Sequence, residues 1–228
     1  MATLKVLSSM ATKQLLADLA AHFGKAFPHT VRIESVGGVD AAKRVRAGEA
    51  FDVVILASGV IDQLMAEGRL VQASRVNIVN SGVAVAVRAG ASHPDISTEE
   101  GLKRAVTEAK SVGYSTGPSG THLLGLFERW GIADSVTPRL VQAKPGLPVG
   151  SMVAGGEVEL GFQQLSELIH LPGVDILGPL PGSTQIMTTF SGAIAATSTE
   201  HGVARAWLEF LAAPAAEEAK RRNGMQSV

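Results

Sequence analysis

The residues best suited to chemistry are grouped in Ser115-Thr116-Gly117-Pro118-Ser119-Gly120-Thr121-His122. The stretch follows a strand-like run, 111–114, and opens an amphipathic helix in which Leu123, Leu124, Leu126, Phe127 and Trp130 recur at three-to-four-residue spacing, with Gly131 where a C-terminal cap belongs. A strand, a glycine- and hydroxyl-rich loop and a helix start aim free N–H groups and the positive end of the helix dipole at one point, which suits a small anion or a carboxylate. Ser115, Thr116, Ser119 and Thr121 add hydroxyl donors, and Gly117 and Gly120 let the backbone come close. An ordinary capped βα turn draws on the same residue types. His122 would have its pKa lowered by the dipole, as suits a neutral base or donor, although a lone histidine at a helix start is commonly structural.

Other chemistries find less support. The loop lacks the last glycine of a nucleophile elbow and the terminal lysine of a phosphate-binding P-loop. The histidines at 22, 29, 93, 122, 170 and 201 are never three to five residues apart, and cysteine is absent, so no metal site and no cofactor are signalled. Lys+Arg 20 against Asp+Glu 21, with 4% aromatic residues, gives no basic stacking surface for nucleic acid. Arg139 and Lys144, beside the turn Lys144-Pro145-Gly146-Leu147-Pro148, could pair with a carboxylate but read as a solvated loop.

The elements that must position the loop follow from hydrophobic patterning. The chain has 228 residues, 46% of them hydrophobic, enough for one large domain or two small lobes. Residues 4–7 read as a buried strand ending at Ser8-Ser9-Met10, followed by a helix to about Ala26 with Leu16, Leu19, Ala20, Phe23 and Phe27 inward. A strand over 31–36 stops at Gly37-Gly38; a helix with Ala42 and Val45 inward closes at Gly48. An apolar strand over 52–57, of the kind buried in a parallel sheet, precedes a helix capped by Ser58 that ends near Gly68. Further on come a strand over 83–87, a capping box of Ser97 with Glu100 for a helix through Ala109, a strand over 139–142, a helix over 149–154, a strand over 159–163 and a strand over 186–196. The chain closes with a helix bearing Ala206, Trp207, Phe210 and Leu211, then a polar helix after Pro214 ending in solvated Arg221 and Arg222.

Strands and helices alternating in this way indicate an α/β fold, in which ligands settle at the carboxyl ends of strands. Those ends carry Ser8-Ser9, Gly37-Gly38, Ser58 and the Ser115 loop. Crossovers near 80–85 and 187–192 predict a discontinuous first lobe, 1–82 with 190–228, and a second lobe, 83–189, with the ligand in a cleft between them. The start at Met1 enters a strand directly, with no signal-like apolar stretch, and no run is long enough for a membrane span. The expectation is a cytoplasmic chain, or a periplasmic one whose leader was removed.

The order 6–9 before a helix, Ala47-Gly48 with Asp52-Val53-Val54, Ala57-Ser58, the 115–121 loop and Gly155-Gly156-Glu157-Val158-Glu159-Leu160-Gly161-Phe162 is similar to type 2 periplasmic binding proteins, and most to their molybdate-binding branch. The resemblance spans residues 4 to about 224 and implies two Rossmann-like lobes closing on an oxyanion by a hinge, with an ABC permease as partner if the chain is exported. Where that branch offers serine before the first helix this chain has Ala11; a second serine falls at Gly37 or Gly38, and a late tyrosine at Gln164. Lost hydroxyls count against molybdate, at about 1–3 kcal/mol per unpaired partner. Ser8, Ser9, Met10, Gly37, Gly38, Ser58, Thr116, Gly117, Ser119, Gly120, Thr121, Pro148, Val149 and Gln164 instead imply a pocket for a small organic carboxylate. Aconitate isomerases resemble the same branch and shift a proton along an allylic carboxylate without metal or cofactor. The alternative is therefore a cofactor-free isomerase of a small unsaturated polycarboxylate, with His122 as its base.

Overall fold

The computed structural model describes residues 1–144 and 146–228, with Pro118 described by its backbone alone. Pro145, within the expected turn, lies outside the described residues. The chain divides into two compact units: 1–81 with 188–228, and 82–187.

The first unit begins with β1 (Thr3–Ser9), α1 (Lys13–Ala26), β2 (Thr30–Val36), α2 (Gly38–Arg46), β3 (Val53–Ala57) and α3 (Ser58–Ala66), and enters β4 (Val76–Arg88). β1 pairs in parallel with β2 and β3, with Ser9 opposite Val36 and Ser8 opposite Ile55, so three carboxyl ends share one sheet edge. The second unit holds the rest of β4, α4 (Glu99–Glu108), β5 (Val112–Tyr114), α5 (Pro118–Arg129), α6 (Ala133–Val136), β6 (Leu140–Gln142), α7 (Val149–Gly155), β7 (Leu160–Gln164), α8 (Leu165–Leu168) and β8 (Val174–Pro179). Here β5 pairs in parallel with β6 and β7, while β4 runs antiparallel to β7 and β8. The chain returns through β9 (Met187–Ile194), α9 (His201–Ala212), α10 (Glu217–Arg222) and β10 (Met225–Gln226).

Each unit has its own core. Leu16, Leu19, Phe23, Trp207 and Leu211 pack with β1 and β3 in the first; Leu102, Val106, Leu123, Phe127 and Phe162 pack with β4 in the second. Gly48 and Gly68 take positive φ, +80° and +70°, where a helix must reverse into a loop. Gly131 does the same after α5, at +69°.

Several local expectations are corrected. The cap of α4 is Thr98, whose hydroxyl accepts from the Gly101 N–H at 3.0 Å, because the Ser97 N–H is turned toward the Asp95 carboxylate. Ser58 is the first residue of α3 and caps nothing; its hydroxyl is drawn to Thr189 and Ser191. β3 is buried, yet only one neighbour is parallel, since β9 runs antiparallel on its other side. Asp52 stands before the strand and staples it, accepting from the Lys5 N–H at 2.8 Å and the Ser198 hydroxyl at 2.7 Å. Phe27 remains 38% exposed while stacking on Phe23 with ring centroids 4.5 Å apart. Arg139 is held on main-chain carbonyls of Thr107, Ala109 and Ser135.

Candidate functional site

In the first unit, Ser8, Ser9, Met10, Gly37, Gly38 and Ser58 gather at the edge made by the ends of β1, β2 and β3. Most of their hydroxyl hydrogens are already engaged. Ser8 is fully buried, and its Oγ lies 2.8 Å from the Ser35 Oγ. Ser9 accepts weakly from the Ala11 N–H at 3.4 Å, capping the short turn that leads into α1. Ser58 Oγ lies 2.9 Å from the Thr189 carbonyl and 2.6 Å from Ser191 Oγ, which donates to Asn77 Oδ1 at 2.8 Å. Two hydroxyl hydrogens thus serve three short contacts, and neither is left over for a ligand. What this edge offers an anion is backbone N–H and the hydroxyl of Ser9, which acts as an acceptor from Ala11.

The helix starts differ in what they can offer. α2 carries Asp40 in its first turn, close enough that a Cβ built on Gly37 would sit 3.7 Å from Asp40 Oδ2. A carboxylate there satisfies the dipole from within and repels a second anion. α3 has no acidic residue in its first turn, and its N-cap, Ala57, supplies no side-chain acceptor. Its orphan N–H groups remain to be satisfied from outside the helix.

In the second unit, Thr116, Gly117, Ser119, Gly120 and Thr121 lie at the end of β5, Pro148 and Val149 start α7, and Gln164 ends β7. Parallel pairing sets Tyr114 opposite both Gln142 and Phe162, which brings these ends to one edge. α5 likewise has an N-cap, Gly117, without a side-chain bond and a first turn without acid, but Pro118 brings no N–H and the Gly120 and Thr121 N–H groups donate to the Gly117 carbonyl at 3.0 and 3.3 Å, which leaves Ser119 as its first-turn donor. Ser115 Oγ and Ser119 Oγ are 3.0 Å apart, which occupies one of their two hydrogens. Gly120 has no alternative, because a Cβ there would come 2.0 Å from the Ser115 carbonyl oxygen. Val149 and Gln164 are buried, and His122 stands exposed on α5.

Sequence reasoning missed the polar chain beneath this edge. The Gly150 N–H donates to Gln163 Oε1 at 2.9 Å, and Gln163 Nε2 donates to Glu167 Oε2 at 2.8 Å. Burial pushes the Glu167 carboxyl up to about 7, against the lowering effect of the Gln163 hydrogen bond. A carboxyl at i+4 from Gln163, just past a strand that ends in two glutamines, was the available signal. Among the described residues no group of three His, Cys, Asp or Glu is placed to hold a metal ion, and no helix is long and apolar enough to cross a membrane.

Comparison with known proteins agrees with this architecture. A Pseudomonas aconitate isomerase is 38% identical over 99% of this chain and 88% of its own length. The periplasmic molybdate-binding protein of Azotobacter vinelandii superposes with a TM-score of 0.79 at 22% identity, covering 97% of this chain and 98% of that one. The sulfate-binding protein of Mycobacterium tuberculosis gives 0.82 at 16% identity, over 100% and 88%. Both structures share the α/β fold of type 2 periplasmic binding proteins. The model of the bacterial extracellular solute-binding protein family matches residues 4–226, and the chain belongs to that family.

Proposed function

We propose that this protein is a solute-binding protein for a small organic polycarboxylate, whose negative charge is met in part by the N–H groups at the start of α3. One observation carries the reading: α3, of nine residues, begins at a strand end with an N-cap that offers no side-chain acceptor and a first turn free of acid. The absence of hydroxyls at Ala11, Gly37 and Gly38 removes donors that a buried tetrahedral oxyanion would need there, which counts against molybdate. If the chain is exported, an ABC permease is its partner. Thermal melts with cis-aconitate, trans-aconitate, citrate, sulfate and molybdate test the ligand class. A polycarboxylate at a hundred times its Kd should stabilise by about 2.7 kcal/mol, with little effect from the inorganic ions. The reverse ranking overturns the assignment.

A second reading is favoured by the 38% identity to an aconitate isomerase across almost the whole chain. On it, the protein holds an unsaturated polycarboxylate while a proton moves along its allylic system. Incubation with cis-aconitate, followed by NMR for the trans isomer, separates the readings: turnover supports the isomerase, and stabilisation without turnover supports the binding protein.

A further inference from the structure

We propose that the outer flank of β2 is a dimerisation surface, on which a second copy of this chain adds its own β2 antiparallel about Ile33, setting Arg32 of each copy against Glu34 of the other. β2 pairs with β1 and has no strand on its other side among the described residues. The Thr30 N–H donates to the Ala2 carbonyl at 3.0 Å, so Thr30, Arg32, Glu34 and Val36 turn their main-chain groups toward β1. Val31, Ile33 and Ser35 turn theirs outward. An open strand of seven residues is a template for another chain.

Charge selects the occupant. Arg32 and Glu34 stand exposed on one face of β2. Parallel pairing puts Lys5 directly opposite Arg32, a like-charged couple that costs stability unless an anion joins it. Among the described residues neither Lys5 nor Arg32 forms an ion pair. Glu34 has the opposite imbalance, since it shares the Arg44 guanidinium with Glu49. The face therefore carries an unmet positive charge at Arg32 and an unmet negative charge beside it at Glu34. Laid antiparallel with Ile33 meeting its own copy, position 32 falls opposite position 34 in both directions, as closely spaced non-hydrogen-bonded pairs. An acidic or a basic partner satisfies one sign and repels the other; a second copy answers both.

The other face of the strand fits the same register. Val31 and Ile33 lie only half-buried against the first core. Beside them Ala20, Ala21, Gly24 and Phe27 line an open groove of about 380 Å³ between α1 and the start of β2. A two-fold axis normal to the sheet keeps like faces together, so the partner's Ile33 and α1 arrive on this side and remove apolar surface from water. Small residues on α1 leave room for that approach. Charges on a strand edge also guard against pairing. A guard against self-pairing would carry one sign at both positions, so that like charges face each other; opposite signs invite the contact.

The test is the mass of the full chain in solution, by sedimentation or light scattering over a concentration series reaching about 100 µM. Wild type should approach twice the 23.6 kDa of one chain. Arg32→Glu sets like charges opposite each other and should weaken association by roughly 10–100-fold, and Glu34→Lys should do the same. Mixed in equal amounts, these two variants should form a heterodimer, because opposite signs again meet at both pairs. Ile33→Pro should abolish the dimer and keep the fold, since the N–H it removes points outward and bonds nothing in β1. Thermal melting checks each variant for folding. A wild type that stays monomeric throughout the series overturns the proposal. A dimer that persists in folded Ile33→Pro and Arg32→Glu also overturns it, by placing the contact elsewhere. So does a mixture of the two charge variants that remains monomeric, which breaks the register.

Discussion

The strand-end edges of the two units solve the same problem with different chemistry. In the first, hydroxyls bond to one another: Ser8 with Ser35, Ser58 with Ser191 and Asn77, Thr189 with Asn80 at 2.6 Å. Such a lattice holds no group that titrates near neutral pH. In the second, side-chain amides and a carboxyl take that place, through Gln163 and Glu167, with one spare hydroxyl hydrogen between Ser115 and Ser119. One edge is thus a set of bonded hydroxyls, and the other holds a carboxyl that burial brings to about 7.

The sharpest way to break the second edge is Gly120→Ala. Its Cβ would meet the Ser115 carbonyl oxygen, which is main chain and cannot swing away, so the start of α5 must move. A loss above about 4 kcal/mol is expected, read from denaturant unfolding. Gly117→Ala is the control for stability, since its φ is −83° and the nearest atom to an added Cβ is 4.0 Å off. It should cost under about 1 kcal/mol. Equal losses would mean that the edge is not built on this close approach.

On the first edge, Ser191→Ala removes the middle of the lattice. Asn77 and Ser58 each lose a contact in a part-buried setting, and about 2 kcal/mol should be lost, with the melting temperature falling at every pH from 5 to 8. The second edge should behave otherwise. Because the native state keeps the Glu167 proton up to about pH 7, it holds more protons than the unfolded chain between about 4.5 and 7. Stability should therefore fall as pH rises through that window and level off above it. Glu167→Gln should flatten the profile and leave the variant more stable than wild type above pH 7, by on the order of 1–2 kcal/mol. An unchanged slope would show that this carboxyl titrates as an ordinary surface acid.

How far these edges could be read from sequence depended on the range of the interactions. The strands and helices of the first unit were legible because apolar runs are local and because Gly48 and Gly68 mark their stops. β8 was not, for it is half-buried from Val174 to Gly178, exposed at Pro179, and carries glycine and proline, so it shows no alternation. The commitment of the Ser58 hydrogen was out of reach, since Thr189 and Ser191 are 131 and 133 residues away. Thr98 outcompeted Ser97 as a cap through an Asp95 side chain two residues back, a contest that spacing alone leaves open. Glu167 was overlooked for a different reason: its importance comes from burial, which composition in a four-residue helix does not announce.

The smallest expected effect asks whether the first edge is one lattice or two. Thr189 contributes at both ends, its carbonyl facing Ser58 and its hydroxyl donating to Asn80. Thr189→Ala deletes only the hydroxyl, and because this contact is part-buried, water can replace much of it. A cost of about 0.5–1 kcal/mol is expected. Combined with Ser191→Ala, the losses should add to within about 0.5 kcal/mol if the hydroxyl and the carbonyl belong to separate strings. A larger coupling would join Asn80, Thr189, Ser58, Ser191 and Asn77 into one unit, and the contrast with the second edge would then be one of cooperativity as well as chemistry.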